Sequence, residues 1–147
     1  MSVRLAAPAA RTGLPRIDRA LLRRRARRIL TALDRERAEL SILLADDAAI
    51  SALNQHYRGR CRPTDVLAFS LLEGAHAERR GALLGDVVIG IQTAARQARA
   101  RRRTLDDEVA RLLVHGVLHL VGYDHVRSAE ARIMRAQERR VWRTLGA

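Results

Sequence analysis

TLDDEVARLLVHGVLHLVGYDH, residues Thr104 to His125, contains the start of a helix, its buried face, its end and three imidazoles. Thr104 with Asp107 three residues on is an N-terminal capping pattern, and Asp106, Asp107 and Glu108 suit the positive end of a helix dipole. Val109, Leu113, Val117 and Leu120 recur at helical spacing, so this helix is expected to be central and buried on that side. His115 and His119, four residues apart, share the other edge and can hold one cation. Gly122 can end the helix in the left-handed conformation and turn the chain, so that His125 comes back onto the same ion. Three protein ligands leave a tetrahedral ion with one position for water or substrate, as in catalytic zinc.

The flanking sequence supplies the rest of a small α+β domain. Val3 and Leu5 alternate as a short first strand, and Pro8, Gly13 and Pro15 mark a loop. From Ile17 to Leu33 the apolar residues follow helical spacing among arginines. Leu40, Ile42 and Leu44 form a strand, and Asp46-Asp47 can cap a helix carrying Ile50, Leu53 and Tyr57. Arg58 to Pro63 reads as a basic loop. Val66, Leu67 and Phe69 make one strand, and Leu84, Val87, Val88 and Ile89 make another beside it, with helix from about Gln92. Ser128 is expected to cap a last helix through Ile133, Val141, Trp142 and Leu145, ended by Gly146. The expected architecture is one domain over residues 1–147, with a small mixed sheet of three or four strands, about five helices and the metal motif on a central helix.

At 147 residues, 48% of them apolar, the chain can bury a sizeable core. No apolar run reaches the ~20 residues needed to span a bilayer, and no secretion signal is visible. Cys61 alone cannot make an internal disulfide and fits a reducing compartment, so the cytoplasm is expected. Against 16 acidic residues stand 28 basic ones, all arginine, for a formal charge of +12. Arginine binds phosphate in a bidentate way, so the excess points to a polyanionic partner, with Arg23, Arg24, Arg25, Arg27, Arg28 and Arg101 to Arg103 as contributors to a positive face.

The spacing His-x3-His-x2-Gly-x2-His is the ligand frame of metzincin peptidases, in which a glutamate follows the first histidine as general base. Here that residue is Gly116, so an ordinary peptidase mechanism is not supported. Met134, which could suggest the Met-turn of those enzymes, is assigned to core packing by its place in an amphipathic helix. Zinc can still lower the pKa of water to about 7 and polarise a substrate oxygen.

HGVLHLVGYDH resembles the signature of the bacterial YbeY endoribonucleases. Asn54-Gln55-His56-Tyr57-Arg58, then Pro63 to Phe69, then Leu84 to Val88 resemble that family's upstream blocks in order and spacing, so the likeness runs from about Ala38 to Trp142. Ala68 and Ser70 depart from the family's usual serine and proline, which bears on a local turn. The resemblance implies a zinc-dependent, single-strand-specific endoribonuclease acting in ribosomal RNA processing, notably at the 3′ end of 16S rRNA, and in ribosome quality control. It implies RNA and the small ribosomal subunit as partners, with ribosome-associated proteins. It also implies His115, His119 and His125 as ligands of one zinc, for which another divalent metal could substitute, and Arg58 as an activity residue. A guanidinium at Arg58 could bind the scissile phosphate; the alternative is a structural salt bridge. Asp124 can orient a ligand imidazole or accept a proton, with orientation preferred. Asp65 and Asp86 are expected to cap loops, His56 and His76 to be exposed bystanders, and Cys61 to stay off the metal. Two other functions remain open to test: a non-catalytic ribosome assembly factor with a structural metal, and a metzincin-like peptidase.

Overall fold

The computed structural model describes residues 2–6, 14–70, 83–123 and 127–146. In chain order these contain β1 (Ser2–Ala6), α1 (Arg19–Ala32), β2 (Glu39–Ala45), α2 (Asp47–Arg58), β3 (Val66–Ser70), β4 (Leu83–Gly90), α3 (Ile91–Ala100), α4 (Leu105–Leu120) and α5 (Ser128–Arg143). One mixed sheet has the order β1-β2-β4-β3, in which β1, β2 and β4 are parallel and β3 runs antiparallel along the β4 edge. The α+β class, the mixed sheet and the five helices agree with the expectation from sequence. Despite Ala68 and Ser70, β3 runs unbroken through Ser70.

Alternation along the strands divides the core in two. Leu40, Ile42 and Leu44 of β2 and Val87 and Ile89 of β4 face one side, where they pack with α1, α3, α4 and α5. Ala45 of β2, Val88 of β4 and Leu67 of β3 face the other, where Ile50 of α2 closes a smaller cluster. Because side chains in a strand point to opposite faces in turn, β2, β3 and β4 feed both clusters, while Val3 and Leu5 of β1 join the larger one. Helix α4 lies in the larger one, and ten of its sixteen residues are buried, so it is the central helix of the domain.

Both ends of α4 are fixed by local chemistry. The Thr104 hydroxyl accepts from the Asp107 amide at 3.1 Å. At the other end the Tyr123 amide donates to the Leu118 carbonyl at 3.0 Å and the Gly122 amide to the His119 carbonyl at 3.1 Å, with Gly122 at φ 105°. This is the Schellman arrangement, which satisfies carbonyls that the helix leaves over. Some boundaries differ from those expected. α1 begins at Arg19, not Ile17, and is capped by Asp18, whose carboxylate accepts from the Leu21 amide. Ser128 is the first residue of α5 and Arg127 occupies the cap without a side-chain bond. Ile133 is exposed, and the buried face of α5 is made by Met134 and Val141.

Glu108 is fully buried in α4, and its carboxylate accepts from Arg103 at 3.1 Å and Arg101 at 3.2 Å. Removing both guanidinium groups would leave a buried charge without a partner, which costs ~3–5 kcal/mol. Arg101→Gln with Arg103→Gln is therefore expected to lower Tm by roughly 6–20 °C at ~2–4 °C per kcal/mol. Thermal unfolding followed by circular dichroism checks this. Arg101→Gln alone, at an exposed position, should cost under ~1 kcal/mol.

Candidate metal centre

One turn of α4 brings the His115 and His119 rings together, with centroids 4.7 Å apart and planes at 77°. Their Nε2 atoms face each other at 3.2 Å. Two nitrogens each about 2.0–2.1 Å from one tetrahedral ion stand roughly 3.3–3.4 Å apart, so the pair is spaced as two ligands of one cation would be. Behind His115, its Nδ1 meets Glu138 Oε1 of α5 at 3.3 Å. A carboxylate at that nitrogen holds the N–H on Nδ1 and leaves the Nε2 lone pair for a ligand role. Glu138 was not found from sequence, because nothing local joins it to a histidine 23 residues earlier; only the packing of α5 on α4 does.

His125 and Asp124 lie outside the described residues, as does His76. Among the described residues no third histidine, cysteine, aspartate or glutamate completes a metal-holding group with His115 and His119. Cys61 is exposed in the segment after α2. His56 is exposed too, its ring edge-on to Tyr57.

A cavity of about 300 Å³ opens beside His115, lined by Asp65, Arg101, Arg103, Arg111 and Glu138 among others. Asp65 is structural: one oxygen accepts from the Val66 amide at 2.8 Å and the other from Gln97 at 3.1 Å, tying β3 to α3. Arg111 stacks on Trp142 with its guanidinium carbon 4.3 Å from the ring centroid. Burial, then the neighbouring Arg103, holds Arg111 below the usual guanidinium range, with Glu108 and Asp107 acting in the other direction. Arg58 is exposed in the last turn of α2, ahead of Gly59 at φ 70°. Among the described residues no hydrogen bond or ion pair joins it to the histidines, and it does not line this cavity.

Gly116 has a steric reason that the sequence did not reveal. A Cβ there would lie 2.8 Å from Val87 Cγ1 and 3.4 Å from Val66 Cγ2, so this side of α4 is pressed against β3 and β4. The glutamate of the peptidase pattern has no room at this position.

The fold and the histidine pair define a small α+β protein organised round a helix that bears paired imidazoles on its one open edge. The family model described as Endoribonuclease YbeY matches residues 11–146, and the chain belongs to that family. An Endoribonuclease YbeY of Anaeromyxobacter dehalogenans is 51% identical over 125 residues, covering 85% of this chain and 63% of the relative. One of Geobacter metallireducens is 43% identical over 126 residues, with 84% of each covered. The match thus spans under two thirds of the Anaeromyxobacter protein. The solution structure of a Thermotoga maritima protein superposes with a TM-score of 0.66 at 24% identity, covering 97% of this chain and 88% of the other, and shows the same fold.

Proposed function

We propose that the protein is a metal-dependent endoribonuclease that cleaves single-stranded RNA at a site held by His115, His119 and His125. The observation that carries this reading is the Nε2 pair at 3.2 Å, backed by Glu138 and open to an arginine-lined cavity. Membership of a family named for endoribonuclease activity supports the substrate class. The formal charge of +12 suits a polyanion.

The ion best matched to three imidazoles is zinc, which supplies Lewis-acid polarisation of a phosphoryl oxygen and lowers the pKa of water to about 7. In this reading His115 and His119 hold it from α4, and His125 joins them after the turn at Gly122. Glu138 fixes the His115 tautomer, and Asp124, next to the third ligand in sequence, is assigned to orient a ligand imidazole. Arg101, Arg103 and Arg111 keep the cavity positive where the RNA backbone enters, although Arg101 and Arg103 are partly offset by Glu108. Arg58, without an ion pair among the described residues, takes the scissile phosphate. The substrate assigned is precursor ribosomal RNA on the small subunit, at the 16S 3′ end, with a part in ribosome quality control in the cytoplasm alongside ribosome-associated proteins. Among the described residues no helix is long and apolar enough to cross a membrane.

Metal removal tests the reading. Chelation of the purified protein is expected to abolish cleavage of a single-stranded RNA while its helical circular dichroism persists, and zinc should restore activity. Cleavage that survives verified metal loss would overturn it. Global unfolding on chelation would instead identify a structural ion and favour an assembly factor.

A further inference from the structure

Arg111 belongs to two cavities. Besides the one at His115, it lines a groove of about 340 Å³ between α4 and α5, together with Arg135, Arg139, Arg143, Glu138 and Trp142. Glu138 also lines both, so the groove meets the histidine site at these two residues. Arg135, Arg139 and Arg143 follow one another at four-residue spacing along α5, about 6 Å apart on one face. All three are exposed.

Their charge has no internal use. Some other arginines of the chain are spent on carboxylates: Arg25 pairs with Asp107 at 2.9 Å, and Arg101 and Arg103 pair with Glu108. Among the described residues neither the α5 row nor Arg111 makes an ion pair, and the buried Arg111 Nε–H has no hydrogen-bond partner. The one carboxylate in the groove wall, Glu138, contacts His115. Like charges four apart on a helix cost a few tenths of a kcal/mol per pair, so α5 would be more stable without this row. A ligand with evenly spaced negative charges would offset that cost, and a single row of cations matches one phosphate backbone.

We propose that the α4–α5 groove is a phosphate-binding track for single-stranded RNA, in which Arg135, Arg139 and Arg143 hold successive phosphates of the strand that Arg111 passes to the histidine site. This rests on the endoribonuclease reading for its direction toward the histidines. The binding itself does not depend on cleavage, and the test separates the two.

The measurement is the affinity of the full chain for a fluorescent single-stranded oligoribonucleotide across a range of salt, in a His119→Ala background so that the probe stays intact. Three proteins are compared: that background alone, with Arg135→Gln/Arg139→Gln/Arg143→Gln, and with Arg19→Gln/Arg23→Gln/Arg27→Gln. The last removes equal charge at equal spacing from exposed positions of α1. Losing three phosphate contacts should weaken binding at least about tenfold at low salt and make the plot of log K against log salt shallower by about 2. The α1 variant should change that slope by less than half as much. An α5 variant with background affinity and slope would overturn the proposal. So would equal effects of the two triples, which would reduce the groove to net charge, or loss of binding to an acidic peptide with RNA binding unchanged. If the α5 row governs RNA binding while the native chain, metal-loaded, cleaves no RNA, the groove stands and the enzyme reading falls. If the native chain cleaves and the α5 row does not matter, the reverse holds.

Discussion

His119→Ala is expected to reduce metal-dependent RNA cleavage by at least about a thousandfold while leaving the fold in place. A metal acting on a phosphoryl group is worth several kcal/mol of transition-state stabilisation, and ~4 kcal/mol corresponds to about a thousandfold in rate. With the two Nε2 atoms 3.2 Å apart, neither histidine can be lost without opening the same side of the site. The fold should tolerate the change, since His119 is half-buried at the open edge of α4 and alanine is the better helix former. Glu138→Gln gives the graded comparison. It meets His115 at the nitrogen turned away from His119, so metal affinity should fall by ~10–100-fold and activity should return as zinc is raised. Elemental analysis with single-turnover cleavage distinguishes these outcomes. His119→Ala protein that keeps metal-dependent cleavage would remove the histidine pair from the mechanism.

What could be read from sequence was what is decided locally. Thr104 and Gly122 announce the ends of α4 because a cap and a left-handed residue act on amides and carbonyls a few positions away. The alternation of Leu40, Ile42 and Leu44 places one face of β2 because the period of a strand is fixed. Features that depend on one element meeting another could not be read. Arg25, Arg101 and Arg103 read as a positive face, yet they are committed to Asp107 and to the buried Glu108. Among the described residues, the row of arginines without an ion pair that lines the groove beside the histidine site is on α5, where the chain shows only a charged helix like its others. Ile133 looks like core by its chemistry and is exposed, because Met134 takes the inward position. Glu138 carries no signal at all until α5 packs on α4.

Gly116 is where spacing and packing give different accounts of one residue, and substitution separates them. If the glycine only reflected a lost general base, Gly116→Glu would be accepted by the fold and would bring the site closer to a peptidase. The packing predicts the opposite. A Cβ at 2.8 Å from Val87 Cγ1 meets a side chain that is itself fully buried in β4, so the neighbour has little freedom to move. Gly116→Ala sets an overpacking cost of ~1–3 kcal/mol against a helix-propensity gain of ~1 kcal/mol, and Tm should fall by no more than about 8 °C. Gly116→Glu adds a carboxylate driven toward the apolar contact of α4 with β3 and β4, at several kcal/mol more. That is a large part of the ~5–15 kcal/mol that holds a domain of this kind together, so the variant is expected to be largely unfolded or insoluble, with no peptidase activity. Val87→Ala makes the cause visible. Alone it should destabilise by leaving a cavity, but combined with Gly116→Ala the two costs should partly cancel, giving a coupling of ~0.5–3 kcal/mol in chemical denaturation. Strict additivity, or a well-folded Gly116→Glu protein that hydrolyses peptides, would mean that position 116 is governed by its distance from the metal and not by the sheet beneath it.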